Sequence, residues 1–293
     1  MGGIIGVGIF YTPHAVAESV PRPGPFLAMW AIGGLIALNG ALTFAELGGT
    51  FPKAGGWYVF LREVFGPFIA FLFAWVVLFT ISTGAIAVMV HVFVANLPGL
   101  APSAGFAVGA ATIAVVTGLA MLGAKAGATV QNLCMLVKLS AIAAMAVVGL
   151  LFCAPAAHVS AGAIEASATG SSNLFSGMVH ALLPVLFACG GWQMLCYVAP
   201  QVRDPQRTLP RAIVVGILGV IATYLAINAA YIRVLGIEGL AANREFAGEM
   251  ARRTLGPVGG DLLRAAMAVS ALGVAIVTIV ATPWLYVAMA RER

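Results

Sequence analysis

Two glycine-rich stretches and one lysine carry the chemistry this sequence offers. The first ten residues, MGGIIGVGIF, are apolar yet include Gly2, Gly3, Gly6 and Gly8. The run HALLPVLFACGGWQMLCYV (180–198) is equally apolar and holds Pro184 and the pair Gly190, Gly191. Glycine weakens a helix by about 1 kcal/mol relative to alanine. Breaking a helix inside a membrane frees main-chain N–H and C=O groups, which is tolerated only where they line a cavity. A half-helix that starts beyond a break offers open N–H groups and partial positive charge, which suit a carboxylate. A half-helix that ends at a break offers carbonyls, which suit an ammonium. Two such breaks face to face would hold a zwitterion without a charged side chain. Gly2-x-x-x-Gly6 also fits close helix packing through small residues, so the first stretch alone leaves both readings open. The matching break five segments later favours a binding site in a transporter built from two related halves.

Lys138 lies inside the apolar run NLCMLVKLSAIAAMAVVGLL (132–151). Nine residues from the start of its segment place it ~14 Å deep, near the midplane. An ionisable residue at that depth marks a functional site by default. It can be a fixed cation, a titrating one, or a structural cross-link.

Other chemistry is not signalled. The four Cys (Cys134, Cys153, Cys189, Cys196) have no CxxC spacing, and the four His make no metal motif, so no metal site and no disulfide framework are expected. There is no phosphate-binding loop and no nucleophile elbow, so the sequence does not read as an enzyme, and no cofactor is expected. A net charge of +5 scattered over loops makes no nucleic-acid surface.

The elements that must position these residues follow from composition. Of 293 residues, 61% are hydrophobic and 9% charged, against about 25% charged in a soluble domain. Mean hydropathy is +1.03. Eight apolar segments are predicted, at 3–20, 25–48, 66–96, 105–123, 129–153, 175–200, 211–235 and 259–290. Each is long enough to cross a bilayer as a helix, and no alternating strands suggest a barrel. The fold class is therefore an all-α polytopic membrane protein, with lipid as its surroundings. PRPGP (21–25), NLPGLAPSAG (96–105) and GAKAGA (123–128) are predicted loops, 154–174 a Ser/Ala/Gly-rich linker, and 236–257 a charged loop with a short surface helix. Trp57, Tyr58 and Phe60 are expected to anchor the membrane interface, Glu46 to accept a hydrogen bond at a helix end, and Gly40 to serve packing alone. If the first segment runs outward, eight loop Lys and Arg fall inside and six outside. Four of those six sit in or beside 236–257, offset by Glu238, Glu245 and Glu249. This sets the expected orientation.

The motifs also resemble a family. GIIGVGIFYTP (3–13) resembles the first-helix signature of the amino acid–polyamine–organocation (APC) superfamily, on its L-type amino acid transporter-like branch. AELGGTFPKAGGWYVFLREVFG (45–66), FACGGWQMLCYVAPQVRDPQRTLPRAI (187–213) and ALGVAIVTIVATPWLYVAMARE (271–292) continue the resemblance in order. It implies a leucine-transporter-like inverted-repeat fold with helices 1 and 6 discontinuous. Residues 1–293 would form one transporter domain: 1–153 the first repeat, and 175–293 an incomplete second repeat, as if the chain were truncated at both ends. The main chain of Ile5, Gly6, Val7 and Gly8, and of Phe187, Ala188, Cys189, Gly190 and Gly191, would meet the substrate. Phe187 would be an aromatic lid, and Lys138 would place its ammonium where sodium-coupled relatives bind the ion. Departures stand at Val7, where relatives often have Ser, at Cys189, at Pro200-Gln201 and at Pro283-Trp284.

The function implied is sodium-independent secondary transport of amino acids by exchange or proton symport, in a bacterial cell (inner) membrane. Transport of a polyamine or other organic amine, or a non-transporting sensor or subunit of the same fold, are the alternatives.

Overall fold

A computed structural model describes residues 2–121, 124–155 and 174–291. Among them there are helices and no strands. Residues 2–7 are turns, and a 3-10 turn over Gly8–Phe10 leads into α1 (Thr12–Ser19). Then come α2 (Pro23–Thr50), α3 (Trp57–Phe65), α4 (Pro67–Val76), α5 (Thr83–Ala95), α6 (Gly105–Met121) and α7 (Ala124–Leu151). After the break in description follow α8 (Leu174–Ala188), a 3-10 segment Trp192–Gln201, α9 (Pro205–Ala242), α10 (Phe246–Leu255), α11 (Gly259–Ala281) and α12 (Pro283–Arg291).

Among the described residues, seven spans are long and apolar enough to cross a membrane. They match the second to eighth predicted segments. The first predicted segment does not form a span, because its glycines leave only eight residues of regular helix, in α1. Proline at the first turn starts α2, α4 and α9, where its missing N–H costs nothing. The GAKAGA stretch, predicted as a loop, is helical from Ala124. The 236–257 region bends at Gly236 (φ 76°) and carries the expected short helix, α10. The predicted linker at 154–174 lies, but for its ends, outside the described residues.

Small residues set the helix packing, as expected where lipid removes most of the hydrophobic drive between helices. On α2, Gly33, Gly34, Ala37, Ala41, Ala45 and Gly48 form a buried stripe. Gly33 faces Val185 of α8, and Gly34 faces Ile221 of α9. α9 also packs on α7, α11 on α5 and α7, and α1 on α8. His14 Nδ1 lies 3.0 Å from the Leu240 carbonyl, pinning α1 to the end of α9. The span over α4 and α5 contains a π-helical turn, Val77–Ser82. There Ser82 Oγ and Thr282 Oγ1 lie 3.2 Å apart, joining this span to the residue between α11 and α12.

Two expectations are corrected. Tyr58 and Phe60 are buried, and Trp57 stacks on Phe73 with ring centroids 5.4 Å apart and planes 2° from parallel. They are core residues, because α3 lies against α4 and the 3-10 segment Trp192–Gln201. Gly40 is not remote from the second break. A Cβ there would sit 2.8 Å from the Trp192 ring, one residue past Gly191.

Candidate functional site

The site is built from two interrupted helices. At the first break, Phe10 N–H donates to Val7 O (3.0 Å) and Tyr11 N–H to Gly8 O (2.9 Å), which closes the turn that starts α1. Thr12 Oγ1 adds a bond to Gly8 O at 2.9 Å. The N–H groups of Gly6 and Val7 have no acceptor among the described residues. They are the open donors of a helix start.

At the second break, α8 carries Pro184 in its interior and ends at Ala188. Cys189 N–H still reaches Val185 O (3.0 Å), and Gly190 N–H reaches back only to Phe187 O (3.3 Å). Gly191 has φ 104°, the left-handed region open to glycine, and its N–H turns to Gln193 Oε1 at 3.0 Å. The chain resumes as a 3-10 helix.

The two breaks touch. A side chain on Gly191 would strike the Gly3 carbonyl, and one on Gly8 would lie 3.5 Å from Ala188 Cα. Tyr224 of α9 fastens the pair. Its hydroxyl donates to Ala188 O at 3.0 Å and lies 3.5 Å from Ile4 O. Trp30 of α2 packs edge-on against the Tyr224 ring, with centroids 5.6 Å apart. Lys138 of α7 is fully buried and donates from Nζ to Gly2 O at 3.0 Å and to Ile5 O. A charge at this depth is thus paired with carbonyl dipoles that the break itself leaves free.

A cavity lies to either side. The first, about 530 Å³, is lined by Gly2, Gly3 and Ile4, by Gly191 and Trp192, by Gln131 of α7, and by Ile276, Val277, Val280 and Ala281 of α11. Both polar atoms of Gln131 are buried there without a partner among the described residues. The second, about 400 Å³, begins at Phe10 and Tyr11 and runs along Gly260–Met267 of α11. Met267 and Ile276 are nine residues apart, so a partition of ~14 Å separates the cavities along α11. The broken stretch Ile5–Gly8 lies between their lining residues in chain order.

Ile5, Val7, Ala188 and Cys189 are buried, and Gly6, Gly8, Gly190 and Gly191 are half-buried at the junction of the breaks. Ile5 O is taken by Lys138 and Ala188 O by Tyr224, so these two carbonyls tie the frame together. At Gly190, a side chain would stand 3.4 and 3.7 Å from the carbonyls of Phe187 and Leu186, and the first of these accepts the Gly190 N–H. The Phe187 side chain is 74% exposed. Sequence reasoning missed Tyr224 and Gln131. Tyr224 lies in an unremarkable apolar run. Gln131 had a signal: it precedes Lys138 by seven residues, two turns along the same helix face.

Interrupted apolar helices meeting at a buried lysine, with a cavity to either side, define an integral membrane protein whose polar centre is made mostly of main chain. The chain belongs to the amino acid permease family of the APC superfamily, whose family model, described as amino acid permease, matches residues 1–293. It is 34% identical over 264 residues to the b(0,+)-type amino acid transporter 1 of Mus musculus, covering 88% of this chain and 54% of the relative. It is 32% identical over 306 residues to the serine/threonine exchanger SteT of Bacillus subtilis, covering 100% and 66%. It is 32% identical over 273 residues to the cystine/glutamate transporter of Homo sapiens, covering 87% and 52%. The chain thus spans half to two thirds of the length of these curated relatives.

Proposed function

We propose that this chain holds the substrate site of a sodium-independent amino acid transporter, an exchanger or proton symporter, in a bacterial cell membrane. One observation carries the reading: two helix breaks in contact, with separate cavities on opposite sides of them. That is the geometry alternating access requires, since a substrate at the breaks needs only a rearrangement of the partition to change its exit. The names of the relatives, exchangers and transporters of amino acids, agree with it.

In this reading the substrate carboxylate meets the N–H groups of Gly6, Val7 and Gly8 at the start of α1. The ammonium meets the carbonyls at the end of α8, beside Gly190. Cys189 and Gly191 shape the wall, and Phe187 acts as a lid once the substrate is bound. Lys138 is the fixed cation that holds the first break, in place of a sodium ion. Residues 1–153 and 175–293 are the two related halves. The protein acts as a transporter and not as an enzyme.

The test is uptake and exchange of a panel of labelled amino acids and amines by the complete protein in proteoliposomes. Exchange of amino acids supports the proposal. Saturable binding without turnover would instead assign a sensor or subunit, and a preference for amines lacking a carboxylate would remove the role given to Gly6–Gly8.

A further inference from the structure

We infer that His14 and Glu18 form a proton-binding site on α1, and that the proton held there strengthens the grip of the first break on a substrate carboxylate. This rests on the carboxylate site proposed above at Gly6–Gly8 and adds a pH dependence to it.

His14 stands one turn before Glu18 on α1, with its side chain 10% exposed against 54% for Glu18. Its Nδ1 lies 3.0 Å from the Leu240 carbonyl. A carbonyl oxygen only accepts, so Nδ1 carries the hydrogen, and Nε2 of the neutral ring is then a bare acceptor. That Nε2 is buried, has no hydrogen-bond partner among the described residues, and lies 3.5 Å from Glu18 Oε1. Two acceptors thus face each other. A proton on Nε2 turns the same contact into an ion pair and makes the bond to Leu240 O charge-assisted. Glu18 reaches water, so the proton enters from solution past the carboxylate and returns the same way.

The surroundings leave this role to the pair. α1 packs on α8, α9 and the Gly8–Phe10 turn. The turn has no titratable side chain. α8 brings His180, whose Nδ1 lies 2.7 Å from Ser176 O, and the part of α9 beyond Tyr224 brings Tyr231, Arg233 and Glu238. Arg244 and Glu245, just past α9, line the cavity at Phe10 and Tyr11. Among the described residues, Glu18 is the acid in ion-pair range of the imidazole.

The consequence for the first break is electrostatic. His14 follows Gly8 by six residues, about 9 Å at helical rise. The start of α1 already carries partial positive charge. A proton on His14 adds a full charge of the same sign beside it, which draws a carboxylate towards Gly6–Gly8. By linkage, bound substrate draws the proton to the same extent.

The test uses the full-length protein in detergent and equilibrium binding of labelled L-serine and L-leucine. Both probes stay zwitterionic between about pH 8 and 5, the interval in which histidine ordinarily changes charge. Affinity should rise roughly 2–10-fold as pH falls across it, the effect of one added charge at this distance in a partly screened setting. Calorimetry in two buffers of different ionisation enthalpy should show net proton uptake with substrate in the middle of the interval. His14→Gln keeps a donor for Leu240 O but cannot titrate. It should bind with the parent's affinity at the alkaline end throughout, without proton uptake. Glu18→Gln, at an exposed position, should move the step to lower pH, and His180→Gln should leave the profile as it is. A flat profile in the parent, a step that survives His14→Gln or stays in place in Glu18→Gln, or one that His180→Gln abolishes, overturns the proton site and leaves the transport reading intact. A parent protein that binds neither probe nor any other amino acid at any pH overturns both.

Discussion

Gly191 stands directly against the carbonyl of Gly3, with φ 104°, and no side chain fits between them. One relationship therefore joins the two interrupted helices and explains why the second break needs glycine. Gly190, its neighbour, meets only ordinary contacts at 3.4 and 3.7 Å.

The two glycines should accordingly differ. Gly191→Val combines left-handed strain of about 1–3 kcal/mol with a collision against Gly3, and should weaken amino acid binding by more than tenfold. Gly190→Ala should be tolerated within a few-fold. Gly118→Val, where nothing lies within 4 Å, is the control, since Gly40 packs on Trp192. Insertion depends on summed hydrophobicity and should survive in all three. Equilibrium binding of labelled amino acid to detergent-purified full-length protein checks the order; equal binding by the Gly191 and Gly118 variants would contradict it.

Tyr224→Phe keeps the ring against Trp30 and removes only the hydroxyl that bonds Ala188 O. A buried carbonyl left without its partner costs about 1–3 kcal/mol. Thermal unfolding in detergent should shift down, and amino acid binding should weaken because the breaks are no longer fastened together. A variant as stable as the parent, with unchanged affinity, would show that the hydroxyl is dispensable.

Lys138→Met leaves the carbonyls of Gly2 and Ile5 without their donor. The first break should loosen, and substrate affinity should fall at least tenfold while the protein still inserts. In the function proposed above, the ammonium fills the place a sodium ion would need. A sodium gradient at constant pH and membrane potential should therefore not drive accumulation, and sodium-driven uptake would refute the role given to Lys138.

Glu249 is a half-buried anchor of α10. Hydrogen bonds from Arg253 and then Arg252 hold its carboxyl below the usual carboxylate range. A group with a lowered folded-state pKa contributes stability at neutral pH and loses it as pH falls through that lowered value. Protection of the 246–255 amides, measured against their unfolded exchange rates, should thus hold from neutral pH to the normal carboxylate range and fall only below it. Glu249→Gln should show the lower protection throughout the range where the parent carboxyl is ionised. A parent whose protection fades between pH 7 and 5 would point to a different group.

The sequence by itself determined the membrane class, seven of the spans, and the two interruptions, because each depends on local properties. Apolar length decides whether a helix crosses lipid, and glycine and proline decide where it stops. Lys138 was legible for the same reason, as a charge where none is tolerated without a purpose. The tertiary structure alone decided what each of these groups meets. It brought Gly3 to the distant Gly191, gave Lys138 the carbonyls of Gly2 and Ile5, and drew Tyr224 from an ordinary apolar run into the centre. It also turned Trp57, Tyr58 and Phe60 inward and set Gly40 on Trp192. Spacing along a chain cannot foretell such contacts, because main-chain carbonyls are the same at every position. Only the packing of distant helices selects which of them are left open and which side chain arrives to fill them.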